Sequence, residues 1–335
     1  MKLTNGHFRE QFGEFGGRYF DGEFLDMGSE RNARLEELIQ VPEFEEELRK
    51  EVSDHVQIKA DRFTYKNRNY ISVSGYGKVY AIVGQILLAH KLGLDTVNMG
   101  TRSAYCAKLA AGYASAKGMK INICLSAKLS QNKKLVEDLK KVNANVDDSK
   151  CQAVFDIPEI FAFGNVMTNP NSFMIYDGAN ASNYPSPDLV GKLSSLYLKD
   201  LEGTVDLDQI DSFLVTIEEG TDAVGLYEYL TEKGIERQII TCEKAICQEY
   251  HNGESLITRA ADPQEAYTTI CPELAYLWRM GKVIRLGCDS YRILNTGKVC
   301  DRLNDDDART VILADECMGR STKNVLLIGG AYDQA

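Results

Sequence analysis

Two hydrophobic periods alternate along this chain. Short unbroken apolar runs, such as Ser212-Phe213-Leu214-Val215-Thr216-Ile217 and Asn324-Val325-Leu326-Leu327-Ile328, are separated by longer stretches of helical period. Runs of this length, bounded by glycines and polar residues, predict strands buried on both faces. The pattern predicts strands over 96–99, 120–126, 212–217, 238–242 and 324–328, and helices over 105–117, 131–142 and 222–233. Gly118 and Gly234 directly follow two of these helices, where a left-handed residue ends the last turn. The apolar run 81–89 predicts a further, buried helix, entered through the glycine turn Ser74-Gly75-Tyr76-Gly77-Lys78. Strands alternating with helices predict an α/β fold with mainly parallel sheets covered on both faces. In such sheets ligands lie beyond the carboxyl ends of the strands.

At 335 residues the chain is long enough for two core-bearing domains, and its 44% hydrophobic and 26% charged content is that of an ordinary globular protein. The net charge of -11 argues against nucleic-acid and anionic-membrane surfaces as partners, because both reward positive charge. No apolar run reaches bilayer length and the opening Met1-Lys2-Leu3-Thr4-Asn5-Gly6-His7 has no apolar signal core, so a cytoplasmic location is the expectation. The nine cysteines never form a Cys-x-x-Cys pair and read as small hydrophobes, and none of the four histidines is spaced with a second metal ligand. No metal is expected. Asn180-Ala181-Ser182-Asn183-Tyr184-Pro185-Ser186-Pro187 reads as a loop or linker, and Asp305-Asp306-Asp307 as a solvated acidic start to a helix.

Lys78 carries the chemistry. A lysine at the mouth of a buried helix loses solvation, and a desolvated amine is the nucleophile of Schiff-base formation with carbonyls. The plainer reading is a solvated lysine in a first helical turn. Cys106 stands in a similar position, at the start of a helix after Arg102, an environment that favours the thiolate; the plain reading is a buried structural cysteine.

A family becomes visible in the order of several motifs. Phe12-Gly13-Glu14-Phe15-Gly16-Gly17-Arg18-Tyr19 and Val41-Pro42-Glu43-Phe44 resemble the opening of the tryptophan synthase β subunit. Gly77-Lys78 with Gly84-Gln85, then Lys117-Gly118-Met119, Tyr184-Pro185, the stretch 211–225 and Pro272-Glu273-Leu274-Ala275-Tyr276-Leu277 follow in the family's order. The resemblance implies a fold type II pyridoxal-phosphate architecture, in which two α/β domains hold the cofactor between them. The expected division is 1–45 with 77–200 as one domain, and 46–76 with 201–335 as the other. By the same resemblance Lys78 is the Schiff-base lysine and the base of β-elimination and β-replacement. Gly220 and Thr221 fall in the phosphate loop. Thr101, Arg102 and Ser103 fall in the loop that grips the substrate carboxylate. A homodimer is expected; the resemblance leaves a tryptophan synthase α-like partner open.

Several positions depart from the family. Its glycine-rich phosphate loop reads Glu218-Glu219-Gly220-Thr221-Asp222 here, placing three carboxylates around a phosphate of like sign. At about 4 Å and an effective dielectric near 20, each such pair costs roughly 4 kcal/mol. An acidic strand end capping its helix, with Asp222 in the first turn, is the favoured local reading. A Lys78–Glu218 ion pair would then fill the cofactor's space. The family's substrate-loop glutamate is replaced by Gly100, the serine facing its pyridine nitrogen falls near Gly329, and the polar residue after the lysine is Tyr80. The segment between Pro42 and Lys78 is compressed, without a counterpart of the family's Lys-Arg-Glu-Asp strand motif before Ser74. Ser72 and Ser74 are candidate polar replacements for that motif, and Tyr80 and Tyr105 candidate acid–base groups.

Two functional expectations follow. The first is a pyridoxal-phosphate-dependent lyase acting by β-elimination or β-replacement on a small amino acid, with Lys78 central. The second is a degenerate paralogue, without the cofactor, acting as a binding or scaffold protein or in a cofactor-independent reaction. The changed loops argue against indole-to-tryptophan synthesis in either case.

Overall fold

The structure, a computed structural model, describes residues 34, 37–53, 59–147, 158–169, 171–175, 192–217, 220–243, 271–286 and 299–329. The motif at 12–19, the loop at 180–187, and Glu218 and Glu219 lie outside the described residues. Among the described residues, ten strands form two sheets. Six of them, β1 (Asp61–Tyr65), β2 (Arg68–Ser74), β7 (Ser212–Ile217), β8 (Gln238–Glu243), β9 (Ile284–Leu286) and β10 (Asn324–Gly329), make a sheet of order β1-β2-β10-β7-β8-β9. The other four, β3 (Thr96–Thr101), β4 (Lys120–Leu125), β5 (Asn145–Asp147) and β6 (Ser172–Ile175), make a sheet of order β5-β4-β3-β6. Every pairing is parallel except the β1–β2 hairpin.

The unbroken apolar runs became buried strands as their composition dictates: all six residues of β7 and all six of β3 are buried. Periodicity missed the short strands β5, β6 and β9, and with them the hairpin. Its first strand is polar and largely exposed, and its turn carries Lys66 at φ 50° in place of a glycine. The glycine stops are where they were expected, with Gly118 at φ 69° and Gly234 at φ 70°.

Helices α1 (Pro42–Ser53), α2 (Tyr76–Lys91) and α3 (Ala104–Ala116) pack together over the apolar core. Helix α2 is buried on all sides from Gly77 to Ala89. Such a helix belongs inside the molecule and cannot present a solvated face. Gly84 lets its neighbours come close: a Cβ there would lie 2.6 Å from Leu193 Cδ2 and 3.2 Å from Leu48 Cδ2. Gln85 turns its amide onto Ala81 O at 3.1 Å. The Gly84-Gln85 pair is therefore explained by packing alone.

Asp211 fastens the entry of β7 to the entry of β10. Its carboxylate accepts from the backbone N–H groups of Asn324 at 2.9 Å and Lys323 at 2.8 Å. Those two donors, Asn324 first, hold its pKa below the ordinary carboxylate value of 3.8. A depressed pKa contributes stability above the unfolded-state value, and that contribution is lost as pH falls through the folded-state value. Asp211→Ala is expected to lose about 1 kcal/mol at neutral pH, the solvent-screened worth of two charge-assisted bonds. Urea melts from neutral to strongly acidic pH check this, and the gap from the natural chain should close at the acid end.

Candidate active site

The site is built where β2, β10 and β7 end. Past Ser74, the chain turns through Gly75 at φ 76° and enters α2 with no side-chain cap. This left-handed turn, open to glycine without strain, carries Lys78 into the protein within three residues. Lys78 is only 8% exposed. The plainer reading of a solvated lysine is thus overturned, since the helix it opens has no solvent face.

Across from it begins α8 (Thr221–Lys233), entered from β7 through Gly220 at φ 91°. The expectation that an acidic strand end caps this helix falls on Glu218 and Glu219, outside the described residues. The cap is Gly220, with no side-chain cap bond; its carbonyl accepts from Ala223 and Val224. A helix N-terminus reached through a glycine is the kind of element that can bind anions. Asp222 is in the first turn, as the helix dipole favours, but its carboxylate lies against α2: a Cβ on Gly77 would be 2.5 Å from Asp222 Oδ1. Asp222 also adds to the upward push on the buried Tyr197 hydroxyl, after burial itself. Whether Glu218 pairs with Lys78 lies outside the described residues.

Between the two helices, β10 ends at Gly329, registered with Ser74 of β2. Helix α10 (Asp305–Cys317) comes in above it. Here the acidic triplet departs from expectation. Asp305 is exposed and Asp306 pairs with Arg309 at 3.1 Å, whereas Asp307 is fully buried. Asn304 caps α10 by accepting from Asp307 N at 2.7 Å, and its amide donates to Asp307 Oδ2 at 3.3 Å. Asp307 Oδ2 lies 2.2 Å, and Ser74 Oγ 2.5 Å, from the point where a Gly329 Cβ would sit. The side chain missing at 329 is thus replaced in space by a carboxylate and a hydroxyl from two neighbouring elements. Ser74 was signalled by its position before the lysine turn. Asp307 carried no signal, because an acidic triplet at a helix start looks solvated.

The remaining sequence candidates have other surroundings. Thr101, Arg102 and Ser103 end β3 in the second sheet. Thr101 Oγ1 accepts from Ser103 N at 2.9 Å and Ser103 Oγ accepts from Cys106 N at 3.2 Å, so both hydroxyls build the N-cap of α3. Arg102 is half-buried beside them, and Cys106 is fully buried, as its structural reading expects. Tyr80 is no acid–base group for Lys78: its hydroxyl donates to Asp200, which also holds Arg49, and burial first, then that bond, push its pKa up. Burial likewise raises the Tyr105 pKa. Ser72 is buried within β2. Of the described cysteines, four are buried, Cys300 is half-buried and Cys317 is exposed, so the hydrophobe reading fails at Cys317.

The fold has a solved counterpart. A crystal structure of a pyridoxal 5'-phosphate-dependent aspartate racemase superposes with a TM-score of 0.57 at 15% identity, covering 85% of this chain and 93% of that one. The chain therefore has the α/β architecture of the fold type II pyridoxal-phosphate enzymes, with mostly parallel sheets. Among curated proteins, it is similar to the tryptophan synthase beta chain of Azobacteroides pseudotrichonymphae genomovar. CFP2. The two are 22% identical over 291 residues, which cover 77% of this chain and 70% of that protein. No protein-family model matches the chain. Among the described residues no helix is long and apolar enough to cross a membrane.

Proposed function

We propose that this chain is a pyridoxal-phosphate-dependent enzyme that acts on a small amino acid, by β-elimination or β-replacement. The observation that carries the reading is Lys78, buried at the mouth of α2 after one strand of a sheet in which another strand, β7, leads through Gly220 into α8. These residues fit the cofactor's two anchors. An amine is needed for its aldehyde, and a helix N-terminus entered through a glycine backbone suits its phosphate. When bound, the cofactor supplies an electron sink for the pair left at Cα.

The chain's own residues would do the rest. Burial keeps water from Lys78 and lowers the cost of its neutral form, so its Nζ can take and return a proton at the substrate Cα. Gly220 and Thr221 would hold the phosphate on backbone N–H groups. Thr101, Arg102 and Ser103 would receive the substrate carboxylate, Arg102 as the charged partner and the two cap hydroxyls as donors. The glutamate of the related β subunits has no counterpart at Gly100, which argues against indole-to-tryptophan synthesis.

A second reading is favoured by one contact. Asp222, adjacent to Thr221 of the phosphate loop, sets its carboxylate against Gly77, next to Lys78. In that reading the carboxylate replaces the phosphate, and the chain is a cofactor-free binding partner. One experiment separates the two. Protein purified with added pyridoxal phosphate should be yellow, and borohydride reduction followed by peptide mapping should leave the pyridoxyl group on Lys78. A colourless, folded protein sinks the enzyme reading; colour appearing only in Asp222→Asn identifies the carboxylate as the reason.

A further inference from the structure

The carboxylate gathered at Gly329 gives the site a property that a hydroxyl there would not. The inference rests on the cofactor reading above. In the six-stranded sheet, β10 lies between β2, which leads to Lys78, and β7, which leads to the α8 N-terminus. A pyridine ring tethered by its aldehyde to α2 and by its phosphate arm to α8 would span the end of β10, and residues at that strand end would be the ones to meet its nitrogen. At that end the backbone has no side chain, because position 329 is glycine. What occupies the space is Asp307 Oδ2, 2.2 Å from the vacant Cβ point, with Ser74 Oγ 2.5 Å from it.

We propose that Asp307, with Ser74 beside it, is the partner of the cofactor's ring nitrogen, and that it keeps this nitrogen protonated. Three features support the assignment. Asp307 is fully buried, so its charge has little water to stabilise it and gains from a cationic N–H. The Asn304 amide at 3.3 Å, together with the α10 N-terminal dipole, favours its ionised form over a neutral acid. Of its two neighbours in the triplet, Asp305 is exposed and Asp306 pairs with Arg309, so neither is buried as Asp307 is.

The consequence is chemical. A hydroxyl accepts or donates to a pyridine of either protonation state, whereas a carboxylate favours the pyridinium. A pyridinium draws the Cα electron pair further into the ring. That suits substrates whose reaction needs a long-lived Cα carbanion, such as amino acids undergoing proton exchange at Cα, alongside those with a good leaving group at Cβ. No additional oxidant or co-reactant is required: the proton on nitrogen comes from solvent and stays there through the cycle.

The test reads the nitrogen directly. The full chain is loaded with pyridoxal phosphate labelled with ¹⁵N in the ring, and the nitrogen shift is recorded at neutral pH. The expected signal is that of a protonated pyridinium in the natural chain, moving to that of a free pyridine in Asp307→Asn and returning in Asp307→Glu. A yellow protein whose ring nitrogen is already unprotonated overturns this proposal and leaves the cofactor reading standing, even if neither variant folds. A colourless natural chain overturns both. A pyridinium signal that persists in a folded, yellow Asp307→Asn overturns the assignment to Asp307.

Discussion

Lys78→Ala is expected to give a folded, colourless protein whose turnover falls by a factor of at least about 10³, the range a positioned acid–base group commonly supplies. Two losses combine in it. The amine that captures the aldehyde is gone, and so is the proton carrier that the glycine turn brings in at the mouth of α2. The fold should survive because the residue lies in the first turn of α2, where alanine is the best helix former and the burial of Ile82, Val83, Ile86 and Leu87 is untouched. Lys78→Arg sharpens the result. Arginine keeps the positive charge but is not deprotonated at working pH, so it should fail to capture the aldehyde as completely as alanine does. If Lys78→Arg stays as coloured and active as the natural chain, the lysine acts by charge alone. Absorption spectra and single-turnover assays on the two variants decide the matter.

How much of this was legible beforehand depended on whether the physics was local. Strands β3, β4, β7, β8 and β10 were readable because a strand buried on both faces must be apolar throughout, and a few consecutive residues reveal that. The stops at Gly118 and Gly234 were readable because positive φ selects glycine almost alone. Lys78 was readable for the same reason, a glycine turn running into an apolar helix. What stayed hidden depends on contacts distant in sequence. Tyr80 looked like a catalytic phenol until Asp200, 120 positions away, was found to hold it. Asp307 looked solvated because its neighbours are, and its burial is set by β10 and β2 rather than by its own triplet. Thr101 and Ser103 were read as substrate hydroxyls, and their capping of α3 became visible only with backbone geometry in hand. The hairpin at 61–74 escaped because an exposed edge strand needs no apolar pattern.

Gly220→Ala is expected to be the most damaging single methyl in the described part of the chain. Two independent costs meet there. The backbone is left-handed, at φ 91°, which costs a residue with a Cβ roughly 1–2 kcal/mol. The new methyl would lie 2.3 Å from Leu274 Cδ2, well inside contact distance. Leu274 has nowhere to go. It is fully buried, and its helix, α9 (Pro272–Arg279), is pinned to β8 by the Trp278 indole N–H donating to Thr241 Oγ1 at 3.0 Å. Overpacking of this kind adds about 1–3 kcal/mol, so the sum is roughly 2–5 kcal/mol, a large part of a typical domain's stability. Denaturant unfolding of Gly220→Ala, Leu274→Ala and the double variant separates the two costs. Leu274→Ala alone should lose about 2–5 kcal/mol to the cavity it leaves. In the double variant the methyl finds that cavity, so the combined loss should fall short of the sum by the overpacking part, and the part that remains is the backbone's. Strict additivity would mean that Leu274 does not cover Gly220. It would also release the N-terminus of α8 from α9, whose packing fixes where an anion at that helix end must sit.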